Sequence, residues 1–407
     1  MKILISAYAC EPGRGSEPGV GWNAALQAAR RHDVWLLTRS GNRAAIESGL
    51  RILPDGARIR VCPVADPRSG CLVPAGRSGK WIDYGRWQVA ALDTAEELHR
   101  TVGFDLIHHV TFASWRVPTR LYELPVPVIW GPLGGGSGVP RGFGSVLGFQ
   151  GRFSESFREA SQYVSRRLPG VGRCARKCRL VLAANGVTRD FLSPLCESPP
   201  PVLCEMGVEI ADFPERSPRP AHGGPLRIFW SGVFEPRKAL PLLLGALTHP
   251  EAPDCTLDIA GDGPERERWR RAAARMNVEG RVRFHGRLVR HEALRLLEAA
   301  DVFVFTSLRE TTGWVLVEAM AAACPVVALD WSGTPDVLPA EAGIRIRPES
   351  PAQVRDGLAR ALARLSADPD LRVAMGKAGR AHVARNLTWD RYGAEMDRYY
   401  REFGGAR

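Results

Sequence analysis

The chain has 407 residues, 45% apolar and 24% charged, which suits two globular domains with full cores and excludes a disordered or low-complexity protein. No apolar run approaches the ~18 residues of a membrane-spanning helix. Nine scattered cysteines exclude a disulfide scaffold and point to free thiols in a reducing compartment.

The formal net charge of +11 calls for something anionic: nucleic acid, lipid headgroups or phosphorylated substrates. The apolar start from Met1 to Cys10 leads into a glycine-rich loop and reads as a strand rather than a signal peptide. A cytoplasmic protein is expected.

The first elements alternate strand and helix. Lys2–Ser6 reads as a strand and ends in the glycine-rich turn Gly13–Gly21, after which Trp22–Arg31 is helical. Strands follow at Asp33–Thr38 and Arg58–Cys62, a helix at Ile82–His99, and strands at Asp105–Val110, Val126–Trp130 and Leu180–Ala184. Short apolar strands between helices predict a parallel, doubly wound α/β sheet. The glycine cluster Gly131–Gly136 fits either the lining of an acceptor site or a hinge.

Between Gly138 and Arg179 the chain carries nine basic residues against only Glu155 and Glu159, with Phe143, Phe149, Phe153, Phe157 and Leu168 interleaved. That composition fits a solvated basic helix or a surface lying on an anionic membrane. Cys174 and Cys178 are the only close cysteine pair. With no second pair and no histidine nearby, they argue against a zinc site.

Asp212–Pro225 is rich in Pro, Gly and charge and reads as a linker. It separates a first domain, 1–211, from a second, 226–387. Strands of the second are expected at Leu226–Gly232, Thr256–Gly261, Val282–Gly286, Val302–Phe305 and Val326–Leu329. Helices at Pro351–Leu365 and Pro369–Asn386 close it. The tail from Trp389, with aromatic and charged residues at helical spacing, is expected as a helix, 388–407, crossing back to the first domain.

The sharpest chemical signal follows the strand at Val302–Phe305. Glu310 and Glu318 stand eight residues apart, with Gly313 between them. A strand–loop–helix unit puts one carboxylate at the strand's C-terminal mouth and the other on the first turns of the helix. Open α/β sheets bind ligands there. Carboxylates are acceptor-only groups suited to sugar or ribose hydroxyls, and Gly313 permits close backbone approach.

This segment resembles the Glu-x7-Glu motif of retaining, family 4-like glycosyltransferases of GT-B architecture, of the bacterial surface-polysaccharide type. Ala323 stands where that pattern has glycine. The resemblance implies two Rossmann-like, doubly wound domains facing a cleft. It implies that Glu318 binds the donor ribose and Glu310 the transferred sugar. Ser231–Lys238 resembles the family's phosphate loop, Gly-Arg-x-x-x-x-Lys-Gly in general form, so Lys238 would pair with the donor diphosphate. The arginine of that form is Val233 here, and Arg237 is the candidate to replace it. Gly19 falls where the family's first loop meets the donor phosphates. His108-His109 stands where the family has His-x-His near the sugar. On a strand the two point to opposite faces, so one of them is expected to enter the cleft.

The implied function moves a sugar from a UDP- or GDP-linked donor to a glycan or lipid-linked acceptor, with no metal and no further cofactor. Two rivals stand beside it. One is an epimerase or hydrolase of the same architecture. The other is a non-catalytic protein binding membrane or nucleic acid through its basic charge. No RNA-binding signature supports a nucleic-acid partner, and the dinucleotide fingerprint of a dehydrogenase is missing.

Overall fold

The computed structural model describes residues 1–53, 56, 58–65, 77–213 and 224–405. Contacts divide the chain into two units: Met1–Gly136, Ser161–Gly207 and Trp389–Arg407 in the first, Ser137–Ala160 and Val208–Thr388 in the second. Residues 214–223, the heart of the expected linker, lie outside the described residues.

The first unit holds β1 (Lys2–Ala7), β2 (Asp33–Arg39), β3 (Ile59–Val64), β4 (Leu106–Thr111), β5 (Val128–Leu133) and β6 (Leu180–Ala183). Their order is β3-β2-β1-β4-β5-β6, all parallel. Every residue of β4 and β5 is buried, as in sheets covered by helices on both faces.

Helix α1 (Ser16–Ala29) begins earlier than the glycines suggest, which corrects the reading of Gly13–Gly21 as one turn. Pro18 fits the first turn because its missing N–H has no partner there anyway. Gly21 serves close packing instead: a Cβ there would lie 2.2 Å from the Ala9 carbonyl oxygen. Helices α2 (Arg43–Leu50) and α3 (Arg77–Val102) follow.

Helix α4 (Gly144–Arg167) is broken at Gly148, where φ is 69°. After it come α5 (Pro169–Lys177) and α6 (Gly186–Leu192). Residues 137–160 belong to the second unit, although the linear reading put everything up to 211 in the first domain. The reason is burial. Phe143 and Leu147 join the second unit's core, and the Arg268 guanidinium donates to the carbonyls of Val146 and Leu147 at 3.0 and 3.1 Å.

The second unit repeats the topology with β7 (Leu226–Ser231), β8 (Cys255–Ala260), β9 (Val282–Gly286), β10 (Val302–Phe305), β11 (Val326–Leu329) and β12 (Gly343–Ile346). The order is β12-β11-β10-β7-β8-β9, again parallel. Its helices are α7 (Leu240–Ala246), α8 (Arg266–Arg275), α9 (Arg290–Ala299), α10 (Trp314–Ala321), α11 (Thr334–Val337), α12 (Pro351–Ala367) and α13 (Pro369–Asn386). Strand β12 was not foreseen: its Gly343-Ile-Arg-Ile run holds a glycine and an exposed arginine, whereas the equally short β10 and β11 are wholly apolar.

The last helix, α14 (Trp389–Gly404), packs in the first unit. Gly393 lets it approach α1, where a Cβ would meet the Gln27 side chain at 2.4 Å. Asp397 accepts from Arg31 at 2.8 Å and pairs with His32 at 2.9 Å. Among the described residues, no helix is long and apolar enough to cross a membrane.

Candidate active site

In the second unit the strand order reverses between β7 and β10, which pair in parallel. Ligands of open α/β sheets bind beyond the C-terminal ends of the strands at such a point. Two loops leave it here. One runs from β7 to α7 and carries Arg237 and Lys238. The other runs from β10 to α10 and carries Glu310 and Gly313.

Backbone bonds weld the loops together. The Leu308 amide donates to the Arg237 carbonyl at 2.8 Å. The Thr306 hydroxyl donates to the Lys238 carbonyl at 2.7 Å and accepts from the Trp230 indole at 3.0 Å. The third side of the β7 loop is set by glycine. Gly261 and Gly263, with φ of 135° and 154°, let residues 232–234 pass where side chains would collide: a Cβ on Gly261 would sit 1.9 Å from the Gly232 oxygen.

This frame brings three charges together. Glu310 Oε2 contacts the Lys238 ammonium, accepts from Arg237 Nη1 at 3.0 Å and from the Ser307 hydroxyl at 3.3 Å. Arg237 also bonds Glu235 at 2.9 Å and the Arg309 carbonyl at 2.9 Å. Ser332 fixes the Glu310 backbone, accepting from its amide at 3.0 Å and donating to its carbonyl. Arg309 is held in turn by both oxygens of Glu155 at 2.8 and 3.0 Å.

Burial raises the Glu310 carboxyl, but the Lys238 and Arg237 cations outweigh it and hold the group down at about 2. Burial also lowers the Lys238 ammonium, and the adjacent Arg237 adds to that effect against the pull of Glu310. Both partners of the pair therefore move down. The carboxylate gains more from the contact than the ammonium does, because Glu310 faces two cations and Lys238 shares one anion with a competitor. Arg237 stays charged whatever its surroundings. The cluster presents two cations that share Glu310, with Glu235 on Arg237 as the second acid.

Gly313, the N-cap of α10, has φ of 89°, and a Cβ there would meet Phe305 at 2.9 Å. Glu318 is the fifth residue of α10, which starts at Trp314. Its Oε1 accepts from Arg290 Nε at 3.1 Å, and Arg290 Nη1 donates to Asp212 at 3.2 Å. Burial raises the Glu318 carboxyl, and Arg290 opposes the rise. Nothing in the sequence singled out Arg290 as the partner of Glu318, because the two are joined only by folding.

Two left-handed residues mark the same loops. Ala239, just after Lys238, has φ of 49°, and Ala323 has φ of 52°. Both stand where the general family pattern has glycine, the residue that meets this conformation without strain.

The remaining candidates lie in the first unit. Gly19 sits inside α1, buried, its carbonyl accepting from the Asn23 side chain at 2.9 Å; it is not in a loop. His108 and His109 do point to opposite faces of β4, but both are fully buried. This corrects the expectation that one of them opens to ligand.

The cause is helices on each face. His108 bonds the Tyr400 hydroxyl of α14 and the Gly131 carbonyl, each at 2.7 Å. His109 bonds the Tyr84 hydroxyl of α3 at 2.9 Å and the Ser6 hydroxyl at 3.0 Å. Burial drives their pKa values down to about 4 and about 3, so both imidazoles are neutral at pH 7.

Residues 213–382 match the family model described as Glycosyl transferases group 1. Among curated proteins, the D-inositol 3-phosphate glycosyltransferase of Streptomyces bingchenggensis is 33% identical over 185 residues, which is 42% of this chain and 40% of that protein. The GDP-mannose-dependent monoacylated alpha-(1-6)-phosphatidylinositol monomannoside mannosyltransferase of Corynebacterium glutamicum is 33% identical over 166 residues, 39% of this chain and 41% of that protein. The matched stretches thus span well under two thirds of these relatives.

Among solved structures, a sucrose-phosphate synthase from Thermosynechococcus elongatus superposes with a TM-score of 0.71 at 22% identity, covering 98% of both chains. That likeness is one of fold, and it is the GT-B architecture: two six-stranded parallel sheets, each flanked by helices. Residues 213–382, the stretch that matches this family model, hold Lys238, Glu310 and Glu318 on a chain of GT-B architecture.

Proposed function

We propose that this chain is a retaining glycosyltransferase that moves a sugar from a UDP- or GDP-linked donor to a glycan or lipid-linked acceptor. The observation that carries the reading is the cluster at the strand-order reversal: two cations, Lys238 and Arg237, both held by Glu310, with Glu235 as a second partner of Arg237. Lys238 and Arg237 are the groups to receive the donor diphosphate. Arg237 takes the part of the arginine replaced by Val233, its fork suited to two phosphate oxygens. Glu318 is the acceptor for ribose hydroxyls. Arg237, Lys238 and Ser307 all meet the Glu310 carboxylate at Oε2, so Oε1 is the atom assigned to the transferred sugar.

Chemically, the bond from the anomeric carbon to the diphosphate oxygen breaks, and the nucleoside diphosphate leaves with the electron pair. The acceptor hydroxyl oxygen bonds the anomeric carbon on the same face, and its proton passes to the departing phosphate oxygen. No protein nucleophile enters. The cations stabilise the charge that develops on the leaving group, where preorganised donors are most effective. The buried histidines of β4 are assigned no proton transfer. The basic surface of the chain and the lipid-linked acceptor named for the mannosyltransferase relative support a place in surface or exopolysaccharide assembly at the inner face of a membrane.

The test is ligand binding read by thermal shift, since a ligand of the native state raises its stability by mass action. UDP and GDP, compared with ADP and with free uridine and guanosine, should give a preferred diphosphate that stabilises the wild type more than its nucleoside does. Lys238→Ala should remove that difference and leave the nucleoside response. Equal loss for nucleoside and diphosphate would place Lys238 outside the phosphate site. Product configuration, read by NMR from an α-linked donor, decides between retention and inversion.

A further inference from the structure

Helix α4 is built inside out. Beyond the break at Gly148, Phe149, Phe153 and Phe157 are 77%, 70% and 70% exposed. At 3.6 residues per turn these positions fall within an arc of roughly 80°. Residues 151, 155 and 158 face the other way, into the second unit. A Cβ on Gly151 would lie 2.6 Å from Pro236. Glu155 is buried and grips Arg309 through both oxygens, and Arg158 donates to the Ser137 carbonyl at 2.7 Å.

A helix on a water-soluble surface turns its apolar stripe inward and its polar residues outward. Here the small and polar residues are docked and three phenyl rings stand in solvent. Contiguous exposed apolar surface of this kind marks an interaction site.

We propose that this outward face of α4 is a membrane-docking surface that inserts its phenylalanines among the acyl chains of an anionic bilayer. Charge identifies the occupant. Between Gly138 and Arg179 nine basic residues stand against two acids, and one of those acids, Glu155, is already consumed by Arg309. Arg141, just before α4, and Arg152, on it, are exposed. Arg167, also exposed, ends the same helix.

An apolar face among cations matches the pattern of helices that lie in the bilayer interface. A second copy of the chain would bring like charges together, which opposes self-association through this face. The inference rests on the membrane location proposed above and not on the transfer chemistry.

The test uses the full-length chain, sedimented with phosphatidylcholine vesicles with or without phosphatidylglycerol, at low and high salt. The wild type should pellet with the phosphatidylglycerol vesicles and release as salt rises. Replacing Phe149, Phe153 and Phe157 together by Ser should weaken that binding about tenfold or more. These side chains are exposed, so circular dichroism should be unchanged.

Replacing Arg141, Arg152 and Arg167 by Glu should abolish the preference for the anionic vesicles, since each cation near such a surface is worth roughly fivefold in partition. Indifference of the wild type to vesicles, or full binding by the triple Phe variant, would overturn the proposal. A wild-type dimer that the Phe substitutions dissolve in sedimentation velocity would assign the face to a second copy instead. The nucleotide thermal shift, run on the same variants, reports the transfer reading separately and should be unchanged.

Discussion

The two sheets share one strand order and treat the polar groups of their central strands in opposite ways. In the first unit the polar groups are on β4 itself. His108 and His109 are sealed by α3 and α14 and bonded to neutral partners. In the second unit they lie one loop beyond β7 and β10, where Lys238, Arg237 and Glu310 keep their charge by pairing. Burial without a counter-charge neutralises a group; burial with one keeps it ionised. The same topology thus gives a neutral, structural strand end and a charged, ligand-ready one.

Acid should separate the two ends most strongly. The buried histidines have folded values near 4 and 3 against an ordinary 6.5. The unfolded chain therefore takes up protons first, and stability falls as pH drops from 6.5 towards 4, by about 3 kcal/mol for His108 alone. Glu310 lies near 2 against an ordinary 4.5. Its contribution is complete above 4.5 and is lost as pH falls towards 2. Hydrogen exchange followed by mass spectrometry across a pH series should show the β4 region loosening before the β10 loop. Simultaneous loosening would break the comparison.

Glu310→Gln should come next. Losing a charged hydrogen-bond partner costs about 1.5–3 kcal/mol, so turnover with the natural donor should fall by roughly 10- to 150-fold while the fold persists. The same substitution should flatten the pH dependence of stability between 4.5 and 2. Full activity in this variant would remove Glu310 from the site. His109→Gln makes the converse test: thermal stability should drop, and KM for the donor should stay unchanged.

Arg290→Ala and Glu318→Gln probe an ion pair whose arginine is 50% exposed and whose carboxylate is 15% exposed, so the stability cost of Arg290→Ala should be under about 1 kcal/mol. If Glu318 meets the ribose, Glu318→Gln should raise the donor KM more than Arg290→Ala does. Equal effects would give the pair a structural role only.

The smallest effect sharpens the picture of the loops. Ala239→Gly and Ala323→Gly relieve a left-handed conformation costing roughly 1–2 kcal/mol, offset in part by the greater entropy of glycine in the unfolded chain. Each should raise stability by about 0.5 kcal/mol, visible as a small increase in the urea midpoint.

Local pattern was enough to read the strands of both sheets, with β12 missed, because apolar runs bounded by turns depend only on neighbours in sequence. Glu310, Gly313 and Glu318 stood out in a loop and helix start next to a legible strand, and the resemblance to a known motif added Lys238. Folding alone decided which of these meet. Arg237 and Glu310 are 73 residues apart in the chain and bonded at 3.0 Å, and Arg309 meets Glu155 across 154 residues.

The chain's pattern likewise gave no warning that residues 137–160 pack with the second unit or that both histidines of β4 are covered. A helix's periodicity shows that it has an apolar face. Which side meets the protein is set by what that side must fit: here Pro236 against Gly151 and Arg309 against Glu155.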